Sequence, residues 1–212
     1  MSEALTRRFE DRYREQDYRN LPWFSPRPPV WVANAVRRRR VARGRSLDLG
    51  CGAGTLVLWL ARTGYAAVGL DAAPSAIAAA NGRRPAHGRR PRFEVGSVLR
   101  LPFPAQSFDL VTDIGLLHTL TPRERQRYAA QLARVLRPGG DYLLMAFARE
   151  EQRRRVGPPY RLSVGDVVDL LEPSLEVVSV ETMGGAPAPA PRMNAFHLRR
   201  RLRAQPRGRA LW

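Results

Sequence analysis

Three glycines and two acids carry the chemistry most directly readable in this chain. In Ser46-Leu47-Asp48-Leu49-Gly50-Cys51-Gly52-Ala53-Gly54-Thr55 the glycines follow an apolar run at the spacing G-x-G-x-G. Glycine turns tightly and lets the backbone approach a ligand without a side chain in the way. Dinucleotide binders use G-x-G-x-x-G to seat a pyrophosphate on a helix N-terminus, so the shorter spacing here favours a nucleoside without phosphates. Asp71 closes the next apolar run, residues 66–71, and a carboxylate at that point can accept both hydroxyls of a ribose. Cys51 sits inside the loop and reads as a small packing residue rather than a nucleophile. The competing readings of this motif are a nicotinamide or flavin Rossmann enzyme, or a fold that has lost its ligand.

Strands that alternate with helices must position these residues. Residues 46–49 suit a central parallel strand. A helix over 56–62, a strand over 66–71 and a helix from Pro74 to the Asn81-Gly82 stop follow. A short third strand spans 92–95, and Ser97 and Val98 come directly after it. The fourth strand is 108–113, ending on Asp113, with Ile114-Gly115-Leu116-Leu117-His118 at its C-terminal end, the end that faces the ligand crevice in an open α/β sheet. Thr121-Pro122-Arg123-Glu124 is a capping box that opens a helix through 136. Arg137-Pro138-Gly139-Gly140 stops it before a strand over 141–148. A helix over 163–171 precedes strands over 175–182 and 193–202, joined through an Ala-Pro spacer at 186–191 that reads as stiff. The whole predicts an α/β fold, a Rossmann-like, doubly wound, mostly parallel seven-stranded sheet with a C-terminal antiparallel hairpin. Residues 1–44 read as N-terminal helices and a loop forming a lid, 45–204 as the main domain, and 205–212 as a loose tail.

The N-terminal region has two features of its own. Residues 6–19 form a weakly amphipathic helix carrying Phe9, Tyr13 and Tyr18, which can fold over a bound ligand. Pro22, Pro26, Pro28 and Pro29 then stiffen a loop that presents Trp23 and Phe24. Trp23 divides evenly between packing and ligand contact. Residues 29–40 read as a helix leading to the first strand.

At 212 residues the chain fits one core, since a single core serves up to roughly 250 residues. A second catalytic domain does not fit. No signal-peptide order and no apolar run near the roughly 20 residues of a bilayer span are present, so the expectation is a soluble, cytoplasmic protein with no membrane partner. The single cysteine excludes an internal disulfide and multi-cysteine metal chemistry, and no metal is expected. The net charge is +17, yet the chain contains no lysine. Such a bias, with abundant Ala, Pro and Gly, reads as the composition of a GC-rich genome. The arginine clusters at 37–40, 83–84, 89–90, 153–155 and 199–201 therefore read first as solvated faces.

The glycine loop with its flanking acids resembles the first motif of the class I S-adenosylmethionine-dependent methyltransferases, (Asp/Glu)-x-Gly-x-Gly-x-Gly with an acid closing the next strand. Narrower features resemble the thiopurine methyltransferase-like family, which includes thiol and halide methyltransferases and lies near the tellurite-resistance enzymes. These features are Pro22-Trp23, Asp113-Ile114-Gly115, Arg125-x-x-Tyr128-Ala129 and Gly157-Pro158-Pro159-Tyr160. Arg137-Pro138-Gly139-Gly140 is common to the whole class. The chain departs from the family at Ile114, where relatives carry arginine, and at Phe24, where an acid is common, which implies a less charged pocket. The resemblance implies S-adenosylmethionine as cofactor. Its methionine end would lie at Asp48, Gly50 and Gly52, its ribose at Asp71, and its adenine at Ala72, Ser97 and Val98. The reacting face would lie at Trp23, Ile114 and His118, with Cys51, Gly54 and Asp113 also among the cofactor contacts.

A sulfonium methyl is already electrophilic, so the protein must align a nucleophile with it and exclude water. For an alcohol or amine acceptor, His118 is the one side chain placed to take a proton near neutral pH; the alternative is a structural histidine. The reaction implied is methyl transfer to a small-molecule acceptor, most simply a thiol or other soft nucleophile. O-, N- or C-methylation of a small metabolite is one alternative. An RNA methyltransferase is another, motivated by the arginine excess but lacking an Asn/Asp-Pro-Pro-aromatic motif or an RNA-binding module. A non-catalytic nucleoside-binding protein is the third. Oligomeric state is not legible.

Overall fold

The central strands form where the apolar alternation leaves both faces to be covered. The computed structural model describes residues 3–38, 43–88, 90–149, 158–184 and 192–202. The strands are β1 Arg45–Leu49, β2 Ala66–Asp71, β3 Arg92–Val95, β4 Phe108–Ile114, β5 Leu136–Phe147, β6 Leu175–Met183 and β7 Met193–Arg200. The helices are α1 Glu3–Glu15, α2 Val30–Arg37, α3 Thr55–Arg62, α4 Pro74–Gly82, α5 Pro122–Val135 and α6 Val164–Leu171. On β1, Leu47 and Leu49 join one core layer with Tyr128, Leu132 and Val167 from α5 and α6. On β4 and β5, Leu110 and Leu143 point the opposite way, into a layer with Val36, Leu60 and Ile77 from α2, α3 and α4. Successive strand residues face opposite sides, so apolar strands buried on both faces make three layers with the sheet in the middle.

The sheet order is β3-β2-β1-β4-β5-β7-β6. Strands β1 to β5 pair in parallel. β7 runs antiparallel to both β5 and β6, the C-terminal hairpin expected from two consecutive strands. The order reverses between β1 and β4, so a crevice opens beyond their C-terminal ends. The glycine loop follows β1 and the Ile114–Leu116 turn follows β4, one on each side of that crevice.

One expectation differs in the connection to β5. Arg137-Pro138-Gly139-Gly140 ends α5 but lies inside the strand, which begins at Leu136. Phe108 pairs with Leu136, and the next partners are Leu110 and Asp141. The four residues form a fold in the strand, with Gly139 at φ +76°. A side chain at Gly140 would lie 2.9 Å from the Arg137 carbonyl oxygen, so only glycine fits. The last strand ends at Arg200 rather than 202. Gly157, Arg153–Arg155, the spacer at 186–191 and the tail from 205 lie outside the described residues. Among the described residues, no helix is long and apolar enough to cross a membrane.

Candidate functional site

The glycine loop takes its shape from three left-handed residues, Gly50, Gly52 and Gly54, at φ +68°, +51° and +78°. The amides of Gly50 and Cys51 donate to the Leu70 carbonyl at 2.8 and 3.1 Å, so the loop is laid across the end of β2. Asp71 completes the join. Its Oδ2 accepts from the Gly52 N–H and its Oδ1 from the Ala73 N–H, both at 2.9 Å. The Ala72 backbone amide also acts on this carboxylate, which has about four acceptor sites in all. Burial raises the Asp71 carboxyl above its usual range, against the lowering by these backbone bonds.

Asp48 is 4% exposed at the floor of the same space. The Thr112 hydroxyl donates to its Oδ1 at 2.7 Å. Burial pushes its carboxyl up to about 7, the Thr112 bond pulls the other way, and the neighbouring charges of Asp113 and Asp71 add to the rise. A buried carboxyl shifted this far is common where a charged ligand group will meet it.

These elements enclose a cavity of about 390 Å³, within the roughly 300–1,000 Å³ of small-molecule sites. Of the residues singled out from the sequence, Trp23, Asp48, Gly50, Cys51, Gly52, Asp71, Ala72, Ser97, Val98 and Ile114 line it. Three do not. Gly54 is turned toward the core, where a Cβ would lie 2.6 Å from the Phe93 ring. Its left-handed backbone sends the chain into α3, so its role is conformational. Asp113 is fully buried behind the Leu116 turn. It accepts from the amides of Leu116 at 2.7 Å and Leu117 at 3.1 Å and from the Tyr128 hydroxyl at 2.8 Å. Burial raises its carboxyl to about 6. Asp113 shapes the turn rather than touching a ligand.

His118 requires the larger correction. It is buried, stacks on Phe147 at 4.2 Å, and accepts the Phe147 N–H at Nδ1 over 3.1 Å. With Nδ1 accepting, the ring proton is on Nε2. Burial, then the charges of Arg125 and Arg161, lower its pKa to about 4. It is a neutral imidazole that terminates β5, with no free lone pair to act as a general base.

The roof comes from the N-terminal helix that the sequence suggests can fold over a ligand, though none of its residues is singled out there as a contact. Thr6, Phe9 and Tyr13 of α1 line the cavity, as do Ser25, Arg27 and Leu116. Phe9 and Tyr13 are four apart and so share a helix face, a signal that was available. Phe9 packs edge-on against Trp23 at 5.4 Å, and the Trp23 Nε1–H donates to the Tyr13 hydroxyl at 3.0 Å. Glu10 pins the helix down by accepting from both the Ser75 N–H, 2.9 Å, and its hydroxyl, 2.6 Å, in the first turn of α4. Above the loop, the Tyr13 oxygen lies 2.6 Å from where a Cβ on Gly52 would be.

The site therefore offers a side-chain-free backbone cradle between two carboxylates, the arrangement needed to hold an ammonium group at one end and a ribose diol at the other. Comparison with known proteins gives the family. Residues 47–140 match the methyltransferase domain family. A 2-heptyl-1-hydroxyquinolin-4(1H)-one methyltransferase of Mycobacteroides abscessus is 29% identical, the match covering 81% of this chain and 77% of that protein. A probable thiol methyltransferase 2 of Arabidopsis thaliana is 30% identical over 75% of this chain and 70% of its own length. Among solved structures, one reported for the conversion of a disulfide bond into a thioacetal group during echinomycin biosynthesis superposes with a TM-score of 0.78 at 27% identity, covering 94% of each chain. Magnesium protoporphyrin IX methyltransferase from Synechocystis, solved with S-adenosylmethionine bound, shares the fold at TM-score 0.65. The chain belongs to the class I S-adenosylmethionine-dependent methyltransferases, as a thiol methyltransferase-like enzyme acting on small molecules.

Proposed function

We propose that this enzyme methylates a small acceptor that arrives already ionised, most simply a thiolate. The observation that carries the proposal is the state of the reacting end. Ile114 and Leu116 line it, Phe9 and Trp23 roof it, and the one histidine beside it is neutral with its acceptor nitrogen in use. A thiolate needs no base, because it is the reactive form and a strong nucleophile. Relatives named for thiol and thiocyanate methylation support the reading.

S-adenosylmethionine supplies, when bound, the electrophilic methyl on a sulfonium. Asp48 would hold its ammonium group, Asp71 its ribose hydroxyls, and Ala72, Ser97 and Val98 its adenine. Trp23 and Ile114 would set the line of approach for the nucleophile, where alignment contributes most of the acceleration available. The aromatic roof would exclude water. Arg27 on the rim favours an anion over its neutral conjugate acid. Arg125 adds to this bias. It stacks over Tyr160 at 4.8 Å, its charge helps lower the pKa of His118, and among the described residues its Nε and Nη2 are buried without a hydrogen-bond partner.

The test is a rate series over aryl thiols of graded acidity, with phenols and an N-hydroxyquinolinone in parallel, for wild type and His118→Ala. The expected result is turnover that follows the thiolate fraction in both proteins, with His118→Ala losing about tenfold or less. A loss of about 10²–10⁴-fold in the variant, the size of a missing general base, or reaction of phenols with no thiol turned over, refutes the proposal.

A further inference from the structure

Arg83 stands outside the cavity lining, yet it touches both halves of the rim. It occupies the C-terminal cap of α4 and is half-buried. Its Nη1 donates to the Ala53 carbonyl of the glycine loop at 2.5 Å and to the Thr55 hydroxyl at 3.0 Å. The Thr55 hydroxyl in turn donates to the Ser25 carbonyl of the Pro-Trp loop at 2.8 Å. The guanidinium also stacks against Tyr18 at 5.5 Å and Phe24 at 5.4 Å, two rings that meet edge-on at 5.2 Å.

We infer that Arg83 is a positioning residue that ties the Pro-Trp loop to the glycine loop, so that cofactor held by the glycine loop orders the loop on the acceptor side. The geometry supplies both arms. One arm fixes Ala53, between the two glycines that turn the cofactor cradle. The other reaches Phe24 by stacking and Ser25 through Thr55, and the same loop carries Trp23 and Arg27 into the cavity. Arginine suits such a joint because its planar, multi-donor head stacks and donates at once. A lysine would do one or the other. The glycine loop and the Pro-Trp loop share no other described hydrogen bond, and the four prolines make the latter move as a stiff unit. Ordering one end would therefore restrain the other, which is coupling between the cofactor and acceptor sites in the energetic sense.

Hydrogen exchange read by mass spectrometry tests this without an acceptor and without turnover. The prolines leave Leu21, Trp23, Phe24, Ser25 and Arg27 as amide reporters of the Pro-Trp loop. In wild type, saturating S-adenosylhomocysteine should slow exchange about tenfold or more in both residues 50–55 and residues 21–29. In Arg83→Gln, protection of 50–55 should persist while that of 21–29 falls to about twofold or less. Arg83→Lys, which keeps the cation but cannot stack and donate at once, should show the same split and carries the test if Arg83→Gln does not fold. The inference is overturned if the variants protect 21–29 as wild type does, if wild type shows no protection there, or if both segments lose protection together.

Discussion

Replacing Asp48 by asparagine sets the stability of the ligand-free protein against its affinity. The side chain keeps its shape, and its amide oxygen can still accept from Thr112, so the change is one of charge. The native carboxyl titrates near 7 against 3.8 for the free group. At about 1.4 kcal/mol for each tenfold in acidity, ionising it inside the protein costs on the order of 4 kcal/mol. The sign follows from proton binding. Between pH 4 and 7 the folded chain holds this proton and the unfolded chain has lost it, so folding stability falls as pH rises and the full penalty is present above pH 7. Asp48→Asn should remove that penalty. At about 2–4 °C per kcal/mol for a chain of this size, its Tm at pH 8 should exceed that of wild type by roughly 10 °C, with the two proteins converging near pH 4. A shallower slope up to about pH 6 should remain, because Asp113 is also raised. Binding should move the other way. Loss of a charge-assisted bond to the cofactor's ammonium group, about 1.5–3 kcal/mol, should weaken S-adenosylhomocysteine about 10–150-fold by calorimetry. Thermal melts across pH 4–8.5 with and without that ligand measure both. Parallel melting curves for the two proteins would refute the buried-charge argument, and unchanged affinity would refute the ammonium assignment.

Two further outcomes follow from the site. Gly52→Ala should weaken S-adenosylhomocysteine at least tenfold, because the new methyl collides with Tyr13 in a left-handed backbone that L-residues avoid; calorimetric affinity within twofold of wild type would contradict the close-approach role. Glu10→Gln gives up a charge-assisted pair of bonds to Ser75, so α1 should exchange its amides about tenfold faster with little change in Tm; unaltered exchange over residues 3–15 would show that the aromatic contacts alone hold the helix down.

The parts legible in the sequence are those fixed by local spacing. The glycine loop, the acid ending β2 and the capping box at Thr121 are each read from a few consecutive residues, and the structure forms all three. What escaped depends on partners far along the chain. His118 looks like a base until Phe147, 29 residues on, occupies its lone pair. Asp113 looks like a ligand contact until Tyr128 and Tyr142 close on it from α5 and β5. Arg83 sits in an arginine-rich stretch that reads as solvated, and only the fold brings Ala53 and Phe24 to it. The Arg137–Gly140 segment keeps its helix-stopping role, but its glycines also allow the strand to begin five residues early, at Leu136.

The position of β7 bears on how the chain is made. This strand is the last described element, yet it lies between β5 and β6 rather than outside them. Until Met193–Arg200 leaves the ribosome, the outer edge of β5 has no neighbour, and β6 has no sheet to join. The first five strands can assemble during synthesis, while the seven-residue edge Asp141–Phe147, apolar from Tyr142 on, stays open for the time taken to translate some fifty more. An unpaired edge of that kind attracts other chains. Stalled or shortened products are thus the species of this protein most prone to aggregate, and β7 acts as the seal that ends the exposure.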